Sequence, residues 1–172
     1  MTVQQQSLGI GGHNRTTMKE DWLTPPFVLR ALGAFDTDPC SPIDRPWDTA
    51  ARHYTVVEDG LQQQWYGRVW LNPPYGTKTE KWMERLADHG NGIALIFART
   101  ETAIFFPWVW SHATAILFLK GRLTFFTKEG KPGRANGGAP SVLIAYGHNN
   151  ADALRACGLE GRLIMLNSRS QP

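Results

Sequence analysis

Cysteine is scarce in this sequence, and its scarcity argues against two classes of site. Only two cysteines, Cys40 and Cys157, occur among 172 residues, and they form no CxxC pair. No group of histidines and cysteines has the spacing of metal ligands. The sequence therefore indicates neither a disulfide framework nor a zinc site, and we expect no metal at the functional site.

Long apolar runs and a strong excess of either charge are also missing. No stretch approaches the roughly 20 apolar residues that a membrane-spanning helix needs, and the N-terminus resembles neither a signal peptide nor a transit peptide. Eighteen Lys and Arg against fifteen Asp and Glu leave a net charge of +3, which permits contact with a polyanion without requiring it. We expect a cytoplasmic protein without a membrane partner.

The ordinary globular composition, with 42% hydrophobic and 19% charged residues, predicts one compact α/β domain. Residues 1–20 lack apolar periodicity, as is typical of a flexible leader, so the domain is predicted at 21–172. Residues 127–140, rich in glycine, lysine and arginine, are here called the basic loop. An antiparallel hairpin at the sheet edge would suit the strands on either side of that loop. Strands are predicted at 34–38, 68–71, 93–98, 115–119, 123–126 and 142–146, and helices at 26–33, 78–89, 101–110 and 151–156.

The most informative motif is Asn72-Pro73-Pro74-Tyr75, which directly follows the strand predicted at 68–71. The two prolines forbid extension of that strand, so the motif must lie at its carboxyl end. Open α/β sheets bind their ligands at such ends. The alternative is an ordinary proline turn with a packed tyrosine, and the strand-then-helix setting argues against it.

These four residues suit methylation of an exocyclic amine on a planar ring, such as that of adenine. The lone pair of such an amine is delocalised, so an enzyme has to hold the nitrogen with acceptors that favour tetrahedral character. The side-chain oxygen of Asn72 and the carbonyl oxygen of Pro73 can accept the two amine hydrogens and aim the lone pair at a methyl donor. Tyr75 can stack on a base that has left its duplex, a contact of roughly 1–3 kcal/mol.

Several ordered motifs make this sequence similar to a known family. They are W-x-T-P at 22–25, F-D-x-D-P-C at 35–40, E-D-G-L at 58–61, V-W-L-N-P-P-Y-G at 69–76, A-R-T-E-T at 98–102 and G-R-L-T-F at 121–125. Over about 21–147, the sequence resembles the small phage and prophage DNA N6-adenine methyltransferases. The resemblance implies S-adenosylmethionine as methyl donor and a flipped-out adenine of double-stranded DNA as acceptor, in a bacterial cytoplasm.

The same resemblance implies a single-domain, Rossmann-like methyltransferase fold. Its sheet would be mostly parallel with an antiparallel edge strand, and helices would cover both faces. Thr24 and Pro25 would line the methionine side of the cofactor. Asp38 and Pro39 would border its amino-acid or ribose end, although no glycine-rich loop follows Asp38 as in the wider methyltransferase pattern. The implied cofactor-binding residues are Thr24, Pro25, Asp38, Pro39, Asp59 and Asn72.

Other interpretations of these residues stay open. Methylation of cytosine C5 uses a cysteine nucleophile, but that reaction has no use for the motif at 72–75, so we expect Cys40 to be a small buried residue. For Asp36 and Asp38 the alternative is capping of a loop, and we assign function to Asp38. The acceptor could also be RNA or a protein glutamine amide, or the chain could be a catalytically silent DNA-binding module.

Basic residues near the same predicted sheet edge are candidates for DNA contacts. A mobile basic loop can follow phosphates, whereas a solvated hairpin is the ordinary alternative. Target sequence and oligomeric state are left open by the sequence. The predicted DNA-binding residues are Arg99, Lys120, Arg122, Lys128, Lys131 and Arg134.

Overall fold

The computed structural model describes residues 22–134 and 137–166, and the leader predicted at 1–20 lies outside them. In this part of the chain the fold is α/β, and none of its helices has the length and apolarity needed to cross a membrane. A π-helical turn occupies Phe106–Trp110. The helices are α1 (Pro26–Leu32), α2 (Thr79–His89) and α3 (His148–Ala156), and the strands are β1 (Thr37–Asp38), β2 (Arg52–His53), β3 (Val69–Leu71), β4 (Gly92–Phe97), β5 (Ala115–Leu119), β6 (Ser141–Tyr146) and β7 (Gly161–Met165).

The seven strands form one mixed sheet in the order β2-β1-β3-β4-β6-β5-β7. The pairs among β2, β1, β3 and β4 are parallel, whereas β6 is antiparallel to both of its neighbours and β7 is antiparallel to β5. The prediction of a mostly parallel sheet is therefore wrong, since the antiparallel ladders hold most of the paired residues. An antiparallel edge strand is present, as predicted, but it is β7, whereas β6 is interior. Its six residues are all buried, as an interior strand requires, while β7 outside it is largely exposed.

Helices cover both faces of the sheet because successive strand residues point to opposite sides. On one face, Leu71 packs with Met83 of α2 and with the residues around the π-helical turn. On the other face, Trp70 packs with Leu29 of α1 and Leu154 of α3. The apolar stripe predicted for the helix at 78–89 thus covers one layer of the core.

Some predicted elements differ from those in the structure. Of the strand predicted at 34–38 the structure forms only β1. Of the helix predicted at 101–110 it forms only the π-helical turn, where Pro107 has no N–H to donate. The segment 123–126 joins no strand of the sheet, and Phe126 instead makes isolated antiparallel bridges with Leu23 and Pro132. The short strand β2 was not predicted, because two residues carry no periodicity.

The carboxyl ends of β1, β3, β4 and β5 meet at one side of the sheet, here called the carboxyl edge. β5 shares the direction of β4 because β6 lies antiparallel between them. For the same reason β6 begins at this edge. The chain segments that carry the sequence motifs, 38–40, 72–75, 98–102 and 120–140, therefore leave or enter the sheet at the same side.

Candidate functional site

The turn that follows β3 presents three carbonyl groups, and two of them are already occupied. The carbonyl oxygen of Asn72 accepts the thiol of Cys40 at 3.2 Å. The carbonyl oxygen of Pro74 accepts the hydroxyl of Thr79, the first residue of α2, at 2.8 Å. No described residue donates to the carbonyl of Pro73, which lies between them. Of the three carbonyl groups from Asn72 to Pro74, that of Pro73 is thus the unpaired one.

The side chain of Asn72 adds a second acceptor. Its Nδ2 donates to the carbonyl oxygen of Trp22 at 3.2 Å. Because a carbonyl can only accept, the amide must turn its nitrogen toward Trp22 and its Oδ1 away. No donor from the described residues meets Oδ1. The segment that carries Trp22 is itself held, since Leu23 and Phe126 exchange backbone hydrogen bonds of 2.8 and 2.9 Å.

Tyr75 forms a flat aromatic platform beside these acceptors. Its ring stacks on Phe97, the last residue of β4, with centroids 4.3 Å apart and planes 11° from parallel. The side chain is still 49% exposed, which leaves room for a further stacking partner. Partial burial raises the pKa of the Tyr75 phenol, and the nearby Arg99 works against that rise, so Arg99 belongs to the surroundings of the ring. The sequence pointed to Tyr75 but not to Phe97, although an aromatic residue at the end of a buried strand was a usable signal.

Asp38 is a buried carboxylate at the end of β1, with only 4% exposure. Its Oδ1 accepts the Cys40 N–H at 3.1 Å, and its Oδ2 accepts the hydroxyl of Thr49. Burial raises the pKa of Asp38 to about 6, while both hydrogen bonds oppose the rise. Asp36 differs, because it is exposed and accepts the Arg68 N–H at 2.6 Å. Asp38 thus caps its own loop through the N–H two residues on, whereas Asp36 accepts from a segment 32 residues away.

Thr49, which no sequence motif pointed to, is held by a histidine. The Nε2 atom of His53 accepts the N–H groups of Thr49 at 3.1 Å and Ala50 at 3.3 Å. Burial lowers the pKa of His53, with a smaller contribution from Arg45, and a neutral imidazole is the form that can accept these bonds. The two-residue strand β2 thus fixes the loop that orients the hydroxyl donated to Asp38.

The E-D-G-L and D-P-C motifs lie against each other. A Cβ atom on Gly60 would come within 1.7 Å of the Pro39 carbonyl oxygen, so only glycine permits this contact. The preceding residue, Asp59, is exposed and adopts the left-handed φ of 50°. Asp59 is therefore placed beside the loop that carries Asp38 and Pro39, and its contact with a cofactor stays a prediction.

Besides the hydroxyl of Thr127 in the basic loop, two buried hydroxyl groups at the carboxyl edge have no partner within the described part of the chain. They belong to Thr24, just before α1, and to Ser141, the first residue of β6, each 2% exposed. Leaving such a group unpaired costs about 1–3 kcal/mol, so a ligand that pairs with it gains affinity. Pro25 continues directly from Thr24 and precedes the first residue of α1. Ser141 was not among the residues that the sequence predicted for the site.

Cys40 lies in the same cluster but is unsuited to attack a base. Burial and the neighbouring Asp38 raise the pKa of its thiol, whereas the nucleophile in cytosine C5 methylation is a thiolate. Its hydrogen also points to the carbonyl oxygen of Asn72. Cys40 packs against the core layer that contains α2, but it is partly buried, whereas the sequence predicted a buried residue.

The predicted DNA-binding residues fall into three places. Arg99 lies beside Tyr75. Lys120 forms an exposed ion pair of 2.8 Å with Glu160, and Arg122 borders a cleft of about 310 Å³ together with Phe27. Exposed side chains on the basic loop are those of Lys128, Lys131 and Arg134.

Backbone hydrogen bonds hold the basic loop against the domain rather than leaving it as a free hairpin. Thr127 donates to Lys131 at 2.8 Å, Gly133 to Phe125 at 2.7 Å and Gly137 to Leu123 at 2.7 Å. These hydrogen bonds anchor the loop through residues described on both sides of 135–136.

Comparison with known proteins identifies the family of this chain. The family model described as DNA N-6-adenine-methyltransferase (Dam) matches residues 11–155, which include the turn at 72–75 and the basic loop. No curated protein and no solved structure matches the chain. The family match spans most of the sequence and agrees with the resemblance carried by its motifs. The chain therefore belongs to the DNA N-6-adenine-methyltransferase (Dam) family.

Proposed function

We propose that this protein transfers a methyl group from S-adenosylmethionine to the N6 amine of an adenine that has been flipped out of double-stranded DNA. Family membership supports adenine methylation of DNA in general. The observation that carries the finer proposal is the pair of unpaired acceptors, Oδ1 of Asn72 and the carbonyl of Pro73. They are adjacent on a stiff turn at the carboxyl edge, where α/β sheets bind ligands.

Two acceptors match the two hydrogens of an exocyclic amine. With both hydrogens held, the nitrogen lone pair is directed away from the acceptors and toward an approaching methyl group. The neighbouring carbonyls of Asn72 and Pro74 cannot compete, because Cys40 and Thr79 already occupy them. Of these three carbonyl groups, that of Pro73 is therefore the one that is free to accept from the amine.

Tyr75 supplies the surface on which the adenine ring rests. An adenine amine inside a duplex is hydrogen-bonded to its partner base, so the base has to leave the stack before it reaches the turn. Phe97 supports one face of Tyr75, and the exposed part of the ring can receive the base. Stacking of this kind is worth about 1–3 kcal/mol and offsets part of the cost of unstacking.

The residues around β1 fit a cofactor with a cationic amino group and several hydroxyls. The unpaired hydroxyls of Thr24 and Ser141 can hydrogen-bond to its polar groups. Above pH 6 the carboxylate of Asp38 is charged and can hold the amino group or a ribose hydroxyl. When bound, S-adenosylmethionine supplies an electrophilic sulfonium methyl. Asp59, beside the Asp38 loop, is a further contact in this proposal.

DNA is expected to approach the carboxyl edge from the side of the basic loop. Arg122, Lys128, Lys131 and Arg134 are exposed there and can contact phosphates. Lys120 contributes less, because its ammonium is already paired with a carboxylate.

The test compares methyl transfer by the wild type, Asn72→Ala and Asn149→Ala with labelled S-adenosylmethionine and unmethylated DNA. Asn149 is the matched control, since it is exposed in α3 at the opposite end of β6. Loss of one preorganised contact to the transition state typically costs about 10²–10³ in kcat, so only Asn72→Ala should lose the N6-methyladenine product. Asn72 acts in this proposal as an acceptor for the amine and not as the cofactor contact that the family resemblance implies, so cofactor affinity should remain similar in all three proteins.

Other outcomes would replace the proposal. Methylation of RNA or of a protein glutamine amide in place of DNA would change the acceptor but keep the two-acceptor chemistry. DNA affinity without measurable binding of S-adenosylmethionine would identify a silent binding module.

A further inference from the structure

We propose that Trp22 is a positioning residue that links the basic loop to the side chain of Asn72. The loop packs on the indole of Trp22, and the carbonyl of Trp22 orients the Asn72 amide. The inference rests on the proposed function, because it treats Oδ1 of Asn72 as the acceptor for the adenine amine. It assigns the loop a role in the chemical step in addition to phosphate contact.

The first contact in this link fixes the amide. Nδ2 of Asn72 donates to the Trp22 carbonyl at 3.2 Å, and this bond decides which way Oδ1 points. The amide carries no other hydrogen bond from the described residues. A displacement of the Trp22 backbone would therefore move or release the catalytic side chain.

The second contact joins Trp22 to the basic loop. A Cβ atom on Gly133 would lie 2.7 Å from the indole Cζ3 of Trp22, well inside an ordinary van der Waals contact of 3.4–4 Å. Gly133 also donates its N–H to the carbonyl of Phe125 at 2.7 Å. Next to Phe125, Phe126 pairs with Leu23 through two backbone hydrogen bonds. The basic loop is thus connected to the segment that begins at Trp22 by backbone hydrogen bonds to Phe125 and Phe126.

A neighbouring glycine of the loop touches the other half of the site. A Cβ atom on Gly137 would lie 3.4 Å from the ring of Phe97, which supports Tyr75. The backbone of the loop therefore approaches both the residue that orients Asn72 and the residue that supports the base platform. Glycine at these two positions permits the close approach.

The charged side chains of the basic loop lie next to the contact between Gly133 and Trp22, so DNA bound to them would affect that contact. Lys131 and Arg134 are exposed on either side of Gly133. In this proposal, phosphate contacts made by these side chains displace Gly133, and Gly133 in turn displaces the indole of Trp22. Correct seating of the loop on DNA would then coincide with correct orientation of the Asn72 amide.

The test introduces a methyl group at Gly133 and compares it with Gly138→Ala. Gly138 belongs to the same loop, and its Cβ would meet nothing within 4 Å. Gly133→Ala should shift the side-chain amide signals of Asn72 in a ¹H–¹⁵N spectrum, where the signals are assigned by their loss in Asn72→Ala. It should lower kcat by about 10- to 100-fold, the size expected for misplacement near 1 Å, while KM for S-adenosylmethionine and loop charge stay unchanged. Gly138→Ala should change none of these quantities.

A second variant separates this link from general damage to the loop. Trp22→Ala removes the indole and keeps the backbone carbonyl. A Cβ atom at position 133 still lies 3.0 Å from the carbonyl oxygen of Phe125 in that background, so the loss of kcat caused by Gly133→Ala should become much smaller but keep the part that this contact causes. An equal loss of kcat from Gly133→Ala in both backgrounds would overturn the proposal. Unchanged Asn72 amide signals in Gly133→Ala would overturn it as well. Absence of methyl transfer by the wild type would instead refute the proposed function, and the amide signals would still test the link.

Discussion

Replacing Asp38 with asparagine is expected to stabilise the fold at neutral pH while weakening cofactor binding. The carboxylate is buried, and burial raises its pKa from an ordinary 3.8 to about 6 in spite of the hydrogen bonds from Thr49 and Cys40. Each pKa unit corresponds to about 1.4 kcal/mol, so keeping this group charged costs the fold about 3 kcal/mol. Asparagine carries no charge, can accept the Cys40 N–H and can donate to the Thr49 hydroxyl.

The gain in stability should depend on pH in one direction. A carboxyl whose pKa is higher in the folded than in the unfolded state binds more protons when folded, so wild-type stability falls as pH rises from about 4 to about 6. Above about pH 6 the stability of the wild type has fallen by its full amount. The advantage of Asp38→Asn should therefore be about 3 kcal/mol at pH 8 and should approach zero below pH 4.

Urea unfolding between pH 4 and pH 8 measures this difference, and titration with S-adenosylmethionine at pH 8 measures the functional cost. Asp44→Asn is the matched control, because Asp44 is an exposed aspartate of the same loop region, and its effect should stay within about 0.5 kcal/mol. A cost of keeping Asp38 charged would be contradicted if Asp38→Asn were less stable than the wild type at pH 8. It would also be contradicted if the difference in unfolding free energy were the same at every pH. Undiminished cofactor affinity would remove Asp38 from the cofactor site.

Three other substitutions test separate parts of the site. Tyr75→Ala should raise KM for DNA about 5- to 150-fold through lost stacking, whereas Tyr75→Phe should keep nearly wild-type steady-state kinetics. Thr49→Val removes the hydroxyl donated to Asp38 and should lower both cofactor affinity, measured by calorimetry, and unfolding free energy at pH 8 by about 1–3 kcal/mol. Lys131→Gln and Arg134→Gln should each reduce the slope of log Kd for DNA against log salt by about 0.9 if the residue contacts a phosphate, with equal slopes refuting that contact.

Local elements were predictable from the sequence, whereas their pairing was not. The helical stripe of α2 and the apolar run of β4 are local signals, and both elements were predicted within two residues. The placement of β6 between β4 and β5 depends on contacts between residues far apart in the chain. A loop rich in glycine between two strands favoured a hairpin at the edge, and the continuous burial of Ser141–Tyr146 outweighed that signal.

The candidate site shows the same division between residues and their partners. Asn72, Tyr75 and Asp38 stand in motifs whose chemistry is recognisable from the amino-acid sequence. The groups that orient them do not, since the carbonyl that holds Asn72 belongs to Trp22, 50 positions earlier, and the ring beneath Tyr75 comes from β4. A carbonyl contact also leaves no side-chain signature, because every residue carries the same group.

The antiparallel position of β6 explains how the basic loop reaches the turn at 72–75. β5 ends and β6 begins at the carboxyl edge, so the chain between Leu119 and Ser141 never has to cross the sheet. If β6 ran parallel to β5, a crossover would have to return the chain to the opposite edge before β6 began, and this loop could not remain beside Asn72. The reversed strand instead keeps Gly133 against Trp22 and Gly137 against Phe97. The feature of the sheet that the sequence prediction misplaced is therefore the one that brings the basic loop and the proposed acceptors, Oδ1 of Asn72 and the carbonyl of Pro73, to the same edge.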